Sequence, residues 1–497
     1  SGTYTGSGIN LKDGQILLGA DQALSFTNPF TNAVIAVEEG GGARPIIAVN
    51  VASDQAIDLA SGNTIRGIHI VTVAGTSGLD DGTGITGGNV GNLTVSGMSI
   101  TGAGQAVDID QDGGVLNVVL ETVSSSGGTH GIQLVGTSFT GTFSASGGML
   151  SNHSVAELDL NGGAGTVSYA GSIGNGSGLS ALISNRTGGT VTLSGDITDT
   201  NDVGGGISIT SNSGGTITFS GANNVLNSGV ANALQISGTA GTVNFSGNLD
   251  INTTSGTGIS VASSSANVNF TGSQITVNAT GVGAGIGLTG NSGTVAFNNT
   301  GNGLDIVTAT GTGFSASGGG TVTVQGSSNT ISSPNATALS VNGTTIGSSA
   351  LLFQRVSSGN NDGGADPVNG IVLINTGNLG GLTITGAGTA DSGGIIASST
   401  GSAIVATNTQ DLNLAWMSIL NPSNHGIIAT DLRGVNSLSD SKVSGFGAGL
   451  GNTTSENGFE IVNNNVNMTS LTVTNTTFSN AGRSEEHTSE LQSLAYL

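Results

Sequence analysis

The chain of 497 residues contains no cysteine, a single tryptophan, five prolines and only eight lysines and arginines. Without cysteine it can hold neither a disulfide framework nor a thiolate-ligated metal. Eight scattered cations cannot neutralise a phosphate backbone, which excludes nucleic acid as a partner. Charged residues make up 8% of the chain, against about 25% in an average globular domain. No stretch reaches the roughly 18 uninterrupted apolar residues of a membrane-spanning helix. What is abundant is glycine, with 88 residues. Each costs about 1 kcal/mol relative to alanine inside a helix, which argues against a helical protein. The 30 aspartates and glutamates set a formal net charge of −22, while a 35% apolar content supplies a core and excludes a disordered chain. These balances describe a large, acidic, glycine-rich, mostly β protein.

One phrase recurs along the chain: GTVSYAG (165–171), GTVTLSG (189–195), GTITFSG (215–221), GTVNFSG (241–247), ANVNFTG (266–272), GTVAFNN (293–299) and GTVTVQG (320–326). Its third residues are Val167, Val191, Ile217, Val243, Val268, Val295 and Val322, so the phrase returns every ~25 residues. A second phrase keeps the same beat, as in GISI (206–209), GISV (258–261) and GIGL (285–288), and a third contributes NLDIN (248–252) and SQITVN (273–278). Within each phrase apolar and polar residues alternate, the period of a strand with one buried face. Three short strands per coil of about 25 residues predict an all-β, single-stranded, right-handed parallel β-helix, a β-solenoid. Glycine, asparagine and aspartate then mark the corners, where positive φ or close backbone approach is needed.

Parity places the column Tyr169, Leu193, Phe219, Phe245, Phe270 and Phe297 inside, as core and not as a carbohydrate platform, and puts Thr192, Thr218 and Asn244 outside. Residues 1–60 read as an N-terminal lead-in and 61–345 as the regular coils. Residues 346–482 read as a continuation, after the beat lengthens between Leu339 and Ile371. VSSSGGTHGIQL (123–134) is echoed by VSSGNNDGGADPVNGIVL (356–373), so the continuation reads as the start of a second superrepeat. Dividing 482 residues by 25 predicts about 19 coils. LNLAWMSIL, with Trp416, reads as a buried coil strand.

SGTYTGSGINLKDGQILLGA, SGNTIRGIHI, the GTVTFSG-type array and NGIVLINTGNLGGLTITGAGTADSGG together resemble the large bacterial right-handed parallel β-helix repeat proteins. The resemblance spans 1–482. It implies a pectate-lyase-like fold and a place in a giant secreted or surface-displayed polypeptide of the adhesin or autotransporter type, outside a bacterial cell. The start at Ser1 reads as a cut inside a longer reading frame. Residues 483–497, RSEEHTSELQSLAYL, abandon glycine abruptly, and RSEEHTSELQS resembles the in-frame translation of a common sequencing adapter. That tail holds three acids and one base, so the charge without it is −20.

Polysaccharide-cleaving β-helices need clustered carboxylates and a base. Asp80 and Asp81 are paired in GLDDGTG, and His130-Gly131 and His425-Gly426 echo part of a polygalacturonase-like pattern, but no Arg-x-Lys follows either. Asp108, Asp110 and Asp112, followed by Gly113, open an EF-hand-like loop and are the candidate Ca²⁺ ligands, although Val119 stands where that loop carries its bidentate acid. No catalytic residue is assigned, and calcium is the one cofactor the pattern supports. The expected role is a structural or adhesive, monomeric rod that binds a surface glycan or host-cell ligand along an outer face. The competing expectation is a lyase or glycoside hydrolase acting on acidic glycans.

Overall fold

Phrases of four alternating residues are too short to stand as sheets alone and become stable only when each lies on its equivalent one coil later. The computed structural model shows that arrangement; it describes residues 2–479 apart from 28–33, 39–41, 83–89, 111–113, 138, 201–203, 300, 361–365, 448–455 and 465. The tail 483–497 and Asp112 lie outside the described residues. The chain winds into a parallel β-solenoid of about 15 turns with three ladders of strands.

The first ladder holds the recurrent GTVTLSG-type phrase and runs from Ile16–Leu18 through Thr190–Leu193 and Thr216–Phe219 to Met468–Thr474. The second runs from Thr3–Gly6 through Gln274–Ala279 to Thr477–Ser479. The third runs from Ile9–Asn10 through Ile207–Thr210 to Phe459–Val462. Residues before 61 thus already supply strands to all three, and the same ladders pass through 345 without a break.

The stack has fewer turns than the 19 expected from a uniform period. Ile9 pairs with Ile57, nearly two ordinary periods further along, because the first turn carries an antiparallel pair, Leu24–Thr27 with Val34–Glu38. Later coils lengthen as well: Leu339 pairs with Ile371, Ile371 with Ile404 and Ile427 with Phe459. Insertions at corners lengthen the chain without adding a rung. At about 4.8 Å per rung, the stack is on the order of 70 Å long.

Register fixes the core. Val191, Ile217, Val243 and Val268 lie in line, each almost fully buried. Two residues on, Phe219, Phe245, Phe270 and Phe297 stack with centroids 4.8, 5.1 and 4.7 Å apart and ring planes within 12° of parallel. Val324 follows Phe297 in that column. Phe314, from the third ladder, meets Phe297 edge-on at 5.8 Å, and Phe353 resumes contact with it at 6.5 Å.

Outside, threonine and asparagine form a wall: Asn269 Nδ2 donates to Asn244 Oδ1 at 3.0 Å, and Asn278 Nδ2 to Asn252 Oδ1 at 3.3 Å. Low charge follows, because this wall satisfies itself through neutral amide and hydroxyl groups. The corner leaving the third ladder shows why glycine is plentiful. Ten successive coils place Asn185, Ser211, Gly238, Ser263, Gly290, Gly318, Gly343, Asn375, Asn408 and Asp431 there, every one with φ between 51° and 77°. Only glycine and a few short polar residues hold that left-handed conformation cheaply.

Candidate functional site

The third ladder brings together carboxylates that are far apart in sequence. Asp80 ends the strand Ser77–Asp80, and parallel pairing sets it between Asp58 in the preceding coil and Asp108 in the next. The outward column continues through Gln133 to Asp159. Adjacent rungs lie about 4.8 Å apart, so three carboxylates stand side by side on the outer face. Asp81 is buried beside them, and its Oδ1 accepts from the Asp110 backbone N–H at 3.1 Å. The Gly82 N–H donates to Asp80 Oδ1 at 2.7 Å.

Crowding and burial shape the charge of this column. Burial raises the Asp58 carboxyl, and Asp80 adds to the effect. Asp80 is raised by burial, with the Ser77 and Gly82 hydrogen bonds opposing. Asp108 is pushed up to about 7, first by burial and then by Asp80, Asp110 and Asp81. Two rungs further, His130 Nε2 lies 3.6 Å from Asp159 Oδ2. Burial lowers the His130 imidazole and pushes Asp159 up to about 6. Both members of this pair therefore lean toward neutrality, since desolvation is the largest influence on each.

Of the calcium candidates, Asp108 is half-buried at the third ladder and Asp110 is exposed just beyond the strand end. Asp112 lies outside the described residues. The structure thus joins Asp108 to Asp58 and Asp80, which the spacing of residues had not linked. Among the described residues, no group of three or more His, Cys, Asp or Glu side chains is arranged to hold a metal ion. His425 is remote from this column: its Nδ1 accepts from the Asn457 N–H at 3.1 Å and faces Glu460.

A second polar constellation lies inside the coil, where hydrophobic alternation gives no warning of it. His153 Nδ1 is hydrogen-bonded to Glu157 Oε2, and its Nε2 lies 2.9 Å from Ser125 Oγ. The connectivity is that of a serine–histidine–acid relay, but all three side chains are buried, and Ser125 Oγ donates to Gly104 O at 2.5 Å. A hydroxyl committed to a carbonyl and walled in by core has no path to a substrate, so this relay is structural. Its space comes from Gly131, directly across the rung. A Cβ there would come 2.6 Å from Glu157 O and 3.0 Å from His153 Cε1. The one signal in the sequence is that Glu157 occupies a column which other coils fill with Gly206, Ala233 and Gly258.

Trp416 corrects the reading of LNLAWMSIL as one buried strand. The segment splits into Asn413–Ala415 and Met417–Leu420, and Trp416 is the half-buried corner between them, with φ +60°.

Comparison of the chain with protein-family models, curated proteins and solved structures gave no match. Among the described residues no helix is long and apolar enough to cross a membrane.

Proposed function

We propose that this chain is a stiff structural and adhesive rod, part of a secreted or surface-displayed bacterial repeat protein of the pectate-lyase-like β-helix type, and that it binds a surface or glycan along one outer face. The observation that carries the reading is the continuous apolar core shared by three ladders through about 15 turns. Every rung buries its neighbours, so bending would have to separate stacked side chains over the whole cross-section. The wall of threonine and asparagine offers repeated hydrogen-bonding groups to an external surface. Small-angle scattering should return a monomeric rod whose length exceeds its width several-fold. A glycan array probed with the labelled chain should retain it on at least one saccharide class. A flexible scattering profile, or retention on none, overturns the proposal.

A second reading, a polysaccharide lyase or hydrolase, is favoured by one observation: Asp108, held up to about 7, stands in register with Asp80. A protonated carboxyl beside further carboxylates is what general-acid cleavage of a glycosidic bond requires. Release of reducing ends from acidic glycans by the wild type, lost in Asp108→Asn, would establish it.

A further inference from the structure

Trp416 is the chain's only tryptophan, and its backbone is left-handed. A bulky side chain in that region is a conformational outlier, and such outliers persist where something other than local stability retains them. The column in which Trp416 stands shows the unstrained solution. Pairing of Gly394 with Met417, Ser418 with Lys442 and Lys442 with Thr477 aligns Gly393, Trp416, Asp440 and Asn475 at one corner. Asp440 and Asn475 also have positive φ, 49° and 48°, and Asn475 Nδ2 donates to Asp440 Oδ1 at 3.0 Å. These residue types tolerate the left-handed region. Tryptophan has replaced them in one coil only.

The surroundings are built to accept the indole. A Cβ on Gly386 would come 2.6 Å from Trp416 Cβ and 2.7 Å from Cδ1, so Gly386 is a bare seat beneath the side chain. A Cβ on Gly393 would come 2.0 Å from Ala415 O, which lets the two coils close up beneath the corner. Yet the indole does not enter the core, where Tyr169 and the stacked phenylalanines lie; Trp416 stays only partly buried. Polar groups share this corner of the fold. Ser418, two residues on, hydrogen-bonds Asp391, which lies in the exposed turn of Thr389 and Ser392, and Asp440 follows one rung away.

We propose that Trp416 is the stacking platform of a neutral-saccharide site at this corner, with the Asp391 and Asp440 carboxylates accepting hydrogen bonds from sugar hydroxyls. The inference deepens the glycan-binding reading above and rests on it. A pyranose presents an apolar C–H face and a rim of hydroxyls, which suits a partly exposed indole on a corner that also carries carboxylates. The chain's net charge of −22 disfavours acidic saccharides at the same place.

Because the chain has one tryptophan, its intrinsic emission reports this corner alone. The full chain would be titrated with cello-, chito-, manno- and galacto-oligosaccharides, with oligogalacturonate and tetramethylammonium as comparators, and Trp416→Asn would be tested on the same sugars in immobilised form. The expected result is a saturable emission change with at least one neutral series. Retention on that sugar should fall roughly tenfold or more in Trp416→Asn, while its thermal midpoint equals or exceeds the wild type's. A lower midpoint for Trp416→Asn with unchanged retention makes Trp416 a packing residue and overturns the site. Wild-type retention that Trp416→Asn keeps in full also overturns it, and leaves the glycan-binding rod standing. Retention of the wild type on no glycan at all removes both. An emission change with tetramethylammonium alone would mean a cation site, which likewise overturns the proposal.

Discussion

His153 and Glu157 hydrogen-bond to each other inside the coil with both side chains fully buried, and Glu157 Oε1 also accepts the His153 backbone N–H at 3.1 Å. Removing one member strands the polar atoms of the other in a medium that cannot solvate them. Glu157→Ala should therefore cost about 3–5 kcal/mol, measured as a fall in the urea midpoint. His153→Ala should cost a similar amount, and the double variant less than the sum of the two. Additive losses would show that the pair is not coupled.

Phe245 lies in the middle of the aromatic column, with Phe219 and Phe270 on either side. Phe245→Ala should cost about 3–5 kcal/mol, since a void opens between rungs that cannot collapse independently. Phe245→Leu, which keeps most of the volume, should cost less than half as much. Differential scanning calorimetry checks the order. Equal losses for the two variants would mean that the column's packing is loose.

Most of the fold was legible in the sequence, because two independent periods agree on it. Alternation told which face of GTITFSG is buried, and the beat of the recurrent phrase told that Ile217 and Val243 touch. What escaped did so for physical reasons. The number of turns was overestimated because corner insertions add residues without adding rungs. The Asp58, Asp80 and Asp108 column was invisible because the first of its two spacings falls short of the period and the second exceeds it. The His153–Glu157 pair was missed because Glu157 fills a column of small residues and His153 lies between strands, whereas alternation counts only apolar side chains within them. Trp416 was misplaced because apolar character alone cannot separate a strand from a corner whose backbone turns left-handed.

Among the described residues, Arg186 is buried without an acid as a hydrogen-bond partner. Its Nη1 donates to Gly162 O at 2.6 Å, its Nη2 donates to Gly165 O and Gly188 O, and its guanidinium lies 5.0 Å from the Phe139 ring centroid. Burial pushes its pKa down to about 10. The planar fork serves carbonyls spread over two coils, which one ammonium cannot do. Arg186→Lys should therefore cost about 2–4 kcal/mol and speed hydrogen exchange in coils 139–188. A silent substitution would show that these carbonyls are satisfied by other means.

The raised carboxyls of the third ladder give the rod a pH dependence with a definite sign. Asp108 at about 7 and Asp159 at about 6 hold protons more tightly folded than unfolded, where the value is 3.8. Their contribution to stability is therefore complete below about pH 3.8 and is lost as pH rises through the folded values. Glu121, lowered mainly by its hydrogen bond to Arg44, acts oppositely but is already ionised throughout this window. His130 and His69, both lowered mainly by burial, also act oppositely and do so inside the window, so they offset part of the slope between pH 5 and about 6.5 but none of it above. The wild type should thus be less stable at pH 8 than at pH 5, by an amount on the order of a few kcal/mol, and its melting temperature should fall accordingly. Asp108→Asn cannot ionise, so it should flatten the slope and melt above the wild type at pH 8. Calcium offers a parallel test of the ligands expected in the Asp108, Asp110 and Asp112 loop. A cation neutralising the same column in place of protons would raise the wild-type midpoint at pH 8, leave it unchanged at pH 5, and do nothing for Asp108→Asn. Equal pH slopes for the two proteins would show that Asp108 is solvated in the folded rod, and a wild-type midpoint that calcium leaves unchanged at pH 8 would overturn the calcium reading.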